Sequence, residues 1–409
     1  MLWLARRSSV GRRAARDPCR SGARPAMDKN DANVRIGISG SYGGMNLGDE
    51  AILAGIVSQL RASASAEITV FTRNVADTLA RHAVDRAVPV RQLTRAEIVP
   101  EIRRLDVLVL GGGGILYDRD AEAYLREVFV AHELGVPVML YAISAGPLVT
   151  ASSMHAVRAA LDRVQAITVR DRLALRLLED VGVTRPIHLT ADPALLLEPE
   201  PLPRDALLAE GVDFDRHLVG FSVREPGPAA PDIDPDEYYA LLANAADFVV
   251  ERYDADVVFV AMETTDVTHS HGVVAHMKNA ERAEILRRRY SPGQVLDLLG
   301  RFDFAIGMRL HFLIFAALRG TPFMALPYAS KVSGLLDDLG MDASPLGETG
   351  IGQLLARIDR SWDRRGEIRG TIEERIRGLR ARAMRTNEHL LGLLQHAPAR
   401  TTLDQIGVA

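Results

Sequence analysis

From Val34 onward, short apolar runs alternate with longer stretches whose apolar positions recur every three or four residues. The runs 34–39 (VRIGIS), 67–72 (EITVFT), 106–110 (DVLVL), 137–143 (PVMLYAI), 166–170 (AITVR) and 186–190 (PIHLT) predict strands. Helical periodicity falls near 48–62, 95–104, 119–134, 151–163 and 171–181. Strands that are apolar throughout and separated by helices predict a parallel sheet covered on both faces. The alternation breaks at 198–206 (EPEPLPRDA), a proline- and acid-rich stretch of linker character. A second series follows, with strands at 217–223, 256–261, 303–307 and 322–326 and helices near 235–252, 279–289, 292–300, 308–319 and 331–339. A last helix is expected over 364–395, where Ile368, Ile372, Ile376, Leu379 and Ala383 form one apolar stripe.

The expected class is therefore α/β, with two Rossmann-like domains. The divisions are a leader (1–33), an N-terminal domain (34–197), a linker (198–215), a C-terminal domain (216–345) and a C-terminal helical segment (346–409). Ligands of such sheets bind at the carboxyl ends of the strands, so the interdomain cleft is the expected active site.

Composition narrows the chemistry. The 409 residues are 47% hydrophobic and 25% charged, which suits globular domains. A single cysteine, Cys19, excludes a disulfide scaffold and a cysteine-based zinc site. No apolar run is long enough for a spanning helix. Only three of the 49 basic residues are lysines, and none follows a glycine, which excludes a Walker-type phosphate loop. Residues 1–26 carry +6 from seven arginines and one acid; against a whole-chain charge of −4, the remainder carries −10. That acidic remainder argues against nucleic acid as a partner. The leader lacks a secretory apolar core and is expected to be disordered; the start falls at Met1 or Met27.

Candidate chemistry clusters where strands end. GISGSYGGMNLGDE (37–50) runs a strand through a glycine-rich loop into a helix, bringing Asn46, Asp49 and Glu50 to a strand's carboxyl end. It lacks G-x-G-x-x-G, and the next strand ends Phe71-Thr72-Arg73 without an acid, so NAD binding is not expected. DVLVLGGGGILYD (106–118) offers Gly112, Gly113, Tyr117 and Asp118 beside a cleft. In LTADP (189–193), Asp192 suits a turn as well as catalysis. Arg224 ends the first strand of the second domain, where its planar fork suits carboxylate or phosphate. In DFAIGMRLHFLIFAAL (303–318), Arg309 and His311 stand at the mouth of an otherwise apolar helix, an arrangement that costs free energy unless they are paired or useful. Lys331, in PYASKVSG, is one of the three lysines. His269, His271 and His276 lie in an expected polar loop without an acid or cysteine at ligand spacing, so no metal site is expected.

Taken in order, GxxGxxNxGDEAIL, DxLVLGGGGxLxD, ISAGP, ITVRDxxAxxLL, LTADPAxLL and GMRLHxLIFAxxxGTPFxxLPYxxKV resemble the polysaccharide pyruvyl transferase family across about residues 34–340. ISAGP departs from the family's usual GIGP-type text at Ser144 and Ala145. The resemblance implies a GT-B-like fold with the C-terminal helix crossing back. It implies transfer of the enolpyruvyl group of phosphoenolpyruvate to a saccharide, forming a pyruvate ketal in a cell-surface polysaccharide. Phosphoenolpyruvate is then a co-substrate, with no cofactor and no metal. Donor binding is expected of Arg224, Arg309, His311 and Lys331. Acceptor contacts are expected of Asn46, Asp49, Glu50, Gly112, Gly113 and Asp118. His311 is the expected proton donor, and Asp49, Asp118 or Asp192 the acceptor of the hydroxyl proton. The acceptor is lipid-linked or free, and the location cytoplasmic, with peripheral association at the inner membrane face compatible with the chain. The competing readings are a GT-B glycosyltransferase using a nucleotide-sugar and a catalytically silent sugar-binding protein.

Overall fold

A computed structural model describes residues 33–118, 120–226, 233–327, 330–341 and 350–396. The first sheet is built from β1 (Val34–Ser39), β2 (Ala66–Thr72), β3 (Arg86–Pro89), β4 (Val107–Leu110), β5 (Gly113–Leu116), β6 (Val138–Ala145), β7 (Ala166–Val169) and β8 (Ile187–Leu189). The intervening helices are α1 (Leu47–Ser63), α2 (Val75–Arg81), α3 (Arg95–Arg103), α4 (Ala121–Glu133), α5 (Ala151–Leu161) and α6 (Arg172–Asp180). The strands pair in parallel in the order β3-β2-β1-β4-β6-β7-β8, with β5 beside β6. A short helix α7 (Arg204–Leu208) lies in the segment expected to be linker.

The second sheet holds β9 (His217–Ser222), β10 (Ala255–Phe259), β11 (Ala283–Ile285), β12 (Phe304–Gly307) and β13 (Phe323–Ala325), ordered β11-β10-β9-β12-β13 and also parallel. Around it lie α8 (Pro235–Tyr253), α9 (Thr264–Val274), α10 (Pro292–Leu299), α11 (Leu310–Leu318) and α12 (Ser330–Leu339). The chain continues through α13 (Ile351–Asp363) and α14 (Arg365–His396).

Both sheets are sunk in apolar cores: β1 and β4 are buried almost throughout, and β9 and β12 likewise. α14 buries Ile372, Ile376, Leu379 and Ala383, four of the five stripe residues, and leaves Ile368 half-buried. It crosses back to the first sheet, where the Arg382 guanidinium donates to the Thr190 carbonyl (3.0 Å) and Asn387 Nδ2 to Ser63 Oγ (3.0 Å).

Two expectations are corrected. Residues 279–289 do not form a helix. A 3-10 turn over Ala280–Arg282 leads into β11, because pairing of 283–285 with 257–259 of β10 overrides the local helix formers. The histidine-rich stretch forms α9 rather than a loop, its start held by Asp266 Oδ2, which accepts from the amides of Met262 and Glu263 (3.1 Å each). Within it His269 Nδ1 meets the Tyr239 hydroxyl at 2.8 Å.

Strand order fixes where a ligand can sit. In each sheet the order reverses beside the first strand, between β1 and β4 and between β9 and β12. At such a switch point the connections leave in opposite directions and open a crevice at the carboxyl ends.

Candidate active site

The loops leaving β1, β4 and β12 close on one cavity of about 140 Å³. Asn46, Asp49, Gly114 and Tyr117 line it from the first domain, with Arg170 after β7; Arg309, His311 and Lys331 line it from the second.

On the first side, Asn46 caps α1, its side chain accepting from the amides of Gly48 (2.9 Å) and Asp49 (3.3 Å). This sets Asp49 in the first turn, half-buried against the cavity. Burial raises its carboxyl above the usual range, while His311 and Ser41 pull it back. Gly113 has φ +103°, which a side-chain-bearing residue rarely adopts, and a Cβ there would lie 3.5 Å from Asp49 Oδ1. Gly112 packs beneath against Ile52, so Gly114 is the member of the glycine run that meets the cavity.

Two residues expected at the acceptor do other work. Glu50 is buried and absent from the wall; it accepts from Gly43 N (2.8 Å) and meets His82 Nε2 (2.8 Å), which braces the loop after β1. The Asp118 carboxylate accepts from the amides of Val149 (2.9 Å) and Thr150 (3.2 Å), holding the start of α5, and it too is absent from the wall.

On the second side, β12 ends at Gly307 and α11 begins at Leu310. Arg309, the N-cap, makes no side-chain cap, so the first-turn amides around His311 lack that partner. His311 rests on α1: a Cβ at Gly48 would lie 2.0 Å from its Nδ1. Its Nε2 lies 3.5 Å from Asp192 Oδ2, within ion-pair distance but too long for a good hydrogen bond. Asp192 is committed elsewhere, taking Arg170 Nη1 at 2.6 Å and Ala194 N at 2.9 Å. Burial alone would raise this carboxyl, but Arg170 and then His311 hold it well below the usual carboxylate range. Asp192 is thus an ionised group facing His311, suited to orienting the ring rather than taking a proton.

Arg309 is also engaged. Its Nε donates to Asp266 Oδ2 (3.0 Å), and its Nη2 reaches Asp266 Oδ1, Glu263 Oε2 (2.7 Å) and Glu225 Oε2 (3.5 Å). Arg224 pairs with Glu225, which links it to Arg309, and it does not line the cavity. Burial and then Glu263 raise Asp266, against the pull of Arg309. The residue that sequence reasoning missed is Arg170, buried to 7% exposure and lining the cavity. Its signal was available: it closes the run AITVR, at a strand's carboxyl end.

Two parallel sheets whose carboxyl-end loops close on a shared cavity make this an enzyme-like chain of GT-B-like architecture. The fold is similar to that of a putative UDP-N-acetylglucosamine 2-epimerase from Listeria monocytogenes (TM-score 0.61, 12% identity, 90% of this chain and 98% of that one). It is also similar to UDP-GlcNAc 2-epimerase from Neisseria meningitidis, solved bound to UDP-GlcNAc (TM-score 0.58, 10% identity, 88% and 99%). At those identities the likeness shows fold alone. The model of the polysaccharide pyruvyl transferase family matches residues 46–330, and the chain belongs to that family. It is 22% identical over 303 residues to the amylovoran biosynthesis protein AmsJ of Erwinia amylovora, covering 69% of this chain and 72% of that protein. Family membership makes the chain a transferase of polysaccharide biosynthesis. Among the described residues no helix is long and apolar enough to cross a membrane.

Proposed function

We propose that the protein transfers the enolpyruvyl unit of phosphoenolpyruvate to two hydroxyls of a saccharide, forming a pyruvate ketal and releasing phosphate. The observation that carries this reading is that His311 and Asp49 line one cavity, with Arg170, Arg309 and Lys331 in the same wall. A polyanionic three-carbon donor needs cations and helix N-terminal amides. Lys331 and the first turn of α11 meet that need for the phosphate, while Arg170 and Arg309 set a positive field tempered by their carboxylates.

Imidazolium His311 gives its proton to the methylene carbon, leaving cationic character at C2. A sugar hydroxyl oxygen bonds to C2 as Asp49 takes its proton. Phosphate then leaves with the proton from Asp49, and a second hydroxyl closes the ketal as its proton passes to the His311 imidazole. A histidine suits proton transfer near neutrality, and a carboxyl raised by burial is a stronger base than an ordinary one. Asp192, ionised and 3.5 Å from the ring, favours the imidazolium electrostatically.

The test is incubation of the purified protein with phosphoenolpyruvate and a panel of free and lipid-linked saccharides, read by phosphate release and product mass. Phosphate release with a ketal-linked pyruvate on the saccharide is expected. Transfer of a glycosyl unit from a nucleotide-sugar, without phosphate release from phosphoenolpyruvate, overturns the reading.

A further inference from the structure

A second cavity of about 140 Å³ opens where α1 meets the carboxyl ends of β10 and β11. Its floor is aliphatic, formed by Met262, Val267, Leu286 and Val295, and its rim carries Arg81, Arg287, Arg288 and Arg289. The two acids in its wall are spoken for: Glu50 by Gly43 N and His82, and Glu263 by Arg309. Arg81 is paired with Asp77 at 2.9 Å, and Arg288 lies 4.0 Å from Glu210. Among the described residues, Arg287 and Arg289 have no side-chain hydrogen bond or ion pair and are exposed. Glu210 instead fixes the backbone of this loop, accepting from Arg287 N (2.6 Å), Arg288 N (3.4 Å) and the Tyr290 hydroxyl. The loop is held while its guanidiniums keep their charge.

Such a pocket suits a ligand of two parts. Phosphates match guanidinium forks, and an apolar or ring group gains by covering an aliphatic floor. The cavity also adjoins the active site. Met262 lines both, its carbonyl accepting from Leu47 N at 2.8 Å. Glu263 lines the second cavity and reaches Arg309, in the wall of the first, at 2.7 Å. One residue's thickness separates them.

We propose that the second cavity binds an organic diphosphate to which the acceptor saccharide is attached, with the sugar passing over Met262 toward His311 and Asp49. The inference rests on the pyruvyl-transfer reading for the identity of the sugar as acceptor. The diphosphate comes from a nucleotide or from a prenyl carrier; both present the same chemistry to this pocket.

The experiment titrates the full-length protein calorimetrically with uridine diphosphate, farnesyl diphosphate, inorganic pyrophosphate and, separately, phosphoenolpyruvate. The same titrations are made on an Arg287→Ala/Arg289→Ala variant, whose unchanged melting temperature checks that it folds. One organic diphosphate is expected to bind about tenfold or more tighter than pyrophosphate, and the double variant to lose about tenfold or more of that affinity. Uridine diphosphate as the tight ligand assigns a nucleotide source, and farnesyl diphosphate a prenyl one. Organic diphosphates binding no better than pyrophosphate, or equally well to the variant, overturn the proposal. If phosphoenolpyruvate binds while the diphosphates fail, this inference alone falls. If a diphosphate binds while phosphoenolpyruvate does not, the pyruvyl-transfer reading falls instead.

Discussion

Arg170 and Arg309 line the same cavity from different domains, yet they are paired in different ways. Arg170 meets Asp192 at 2.6 Å, with Asp171 more distant at 3.8 Å. Arg309 faces Asp266, Glu263 and Glu225, and Glu225 is shared with Arg224. The difference separates two uses of one side chain. Arg170 fixes Asp192 as a carboxylate, which in turn faces His311; Arg309 gathers the start of α9 and the strand end at 223–225 into the wall. A fork already spread over three carboxylates has little left for an incoming anion. Arg224 and Arg309, both expected at the donor, are joined through Glu225.

The largest effect is expected at His311. His311→Ala is expected to lower kcat by about 10²–10⁴-fold, the usual worth of a positioned proton donor, with the fold retained. Steady-state phosphate release on folded protein measures it, and near-normal turnover removes the histidine from the scheme.

Asp192 comes next, because removing one partner of a buried pair strands the other. Asp192→Ala leaves Arg170, at 7% exposure, with only the more distant Asp171 and is expected to cost about 3 kcal/mol in urea unfolding. The pH dependence has a definite sign. The folded carboxyl is held below its unfolded value, so its contribution is complete above about pH 4 and is lost as pH falls through the depressed folded value. Wild type should lose stability in that acidic window more steeply than the variant.

Gly48 tests the contact between domains. A Cβ there would sit 2.0 Å from His311 Nδ1, so the ring must move. Gly48→Ala is expected to lower kcat about tenfold or more, since small misplacements of a reacting group are costly. A matched Ala substitution at Gly392, where a Cβ meets nothing within 4 Å, should leave kcat unchanged.

Much of this arrangement could be read from the chain, and the failures have physical causes. β1, β4, β9 and β12 are buried on both faces, so their apolar runs stand out, and the candidate residues at their ends follow from the strand-end rule. β5 escaped because GGIL reads as loop; it exists only by pairing with β6. β11 was hidden under helix-forming residues, and α9 under threonines and histidines that favour helix weakly. Partners were the least legible feature. Nothing in the spacing of Arg309 and Asp266, 43 residues apart, announces their ion pair. Glu50 and Asp49 look equivalent in the sequence, but the first turn of α1 sends one to His82 and the other to the cavity.

Asp49 sharpens the comparison further, because its role depends on staying unpaired by arginine. If it takes the hydroxyl proton, protonating it stops the reaction. Burial raises its carboxyl, so the acid limb of kcat should lie above the ordinary aspartate range, about pH 3.9. Were Asp192 the base instead, held low by Arg170 and His311, that limb would fall below the ordinary range. The profile of kcat against pH therefore separates two carboxylates that both approach the same histidine. Asp49→Asn should abolish the limb along with most of the rate. Asp118→Ala gives the contrast: its carboxylate holds the amides of Val149 and Thr150, so the substitution loosens the start of α5 and leaves both kcat and its pH profile as they were.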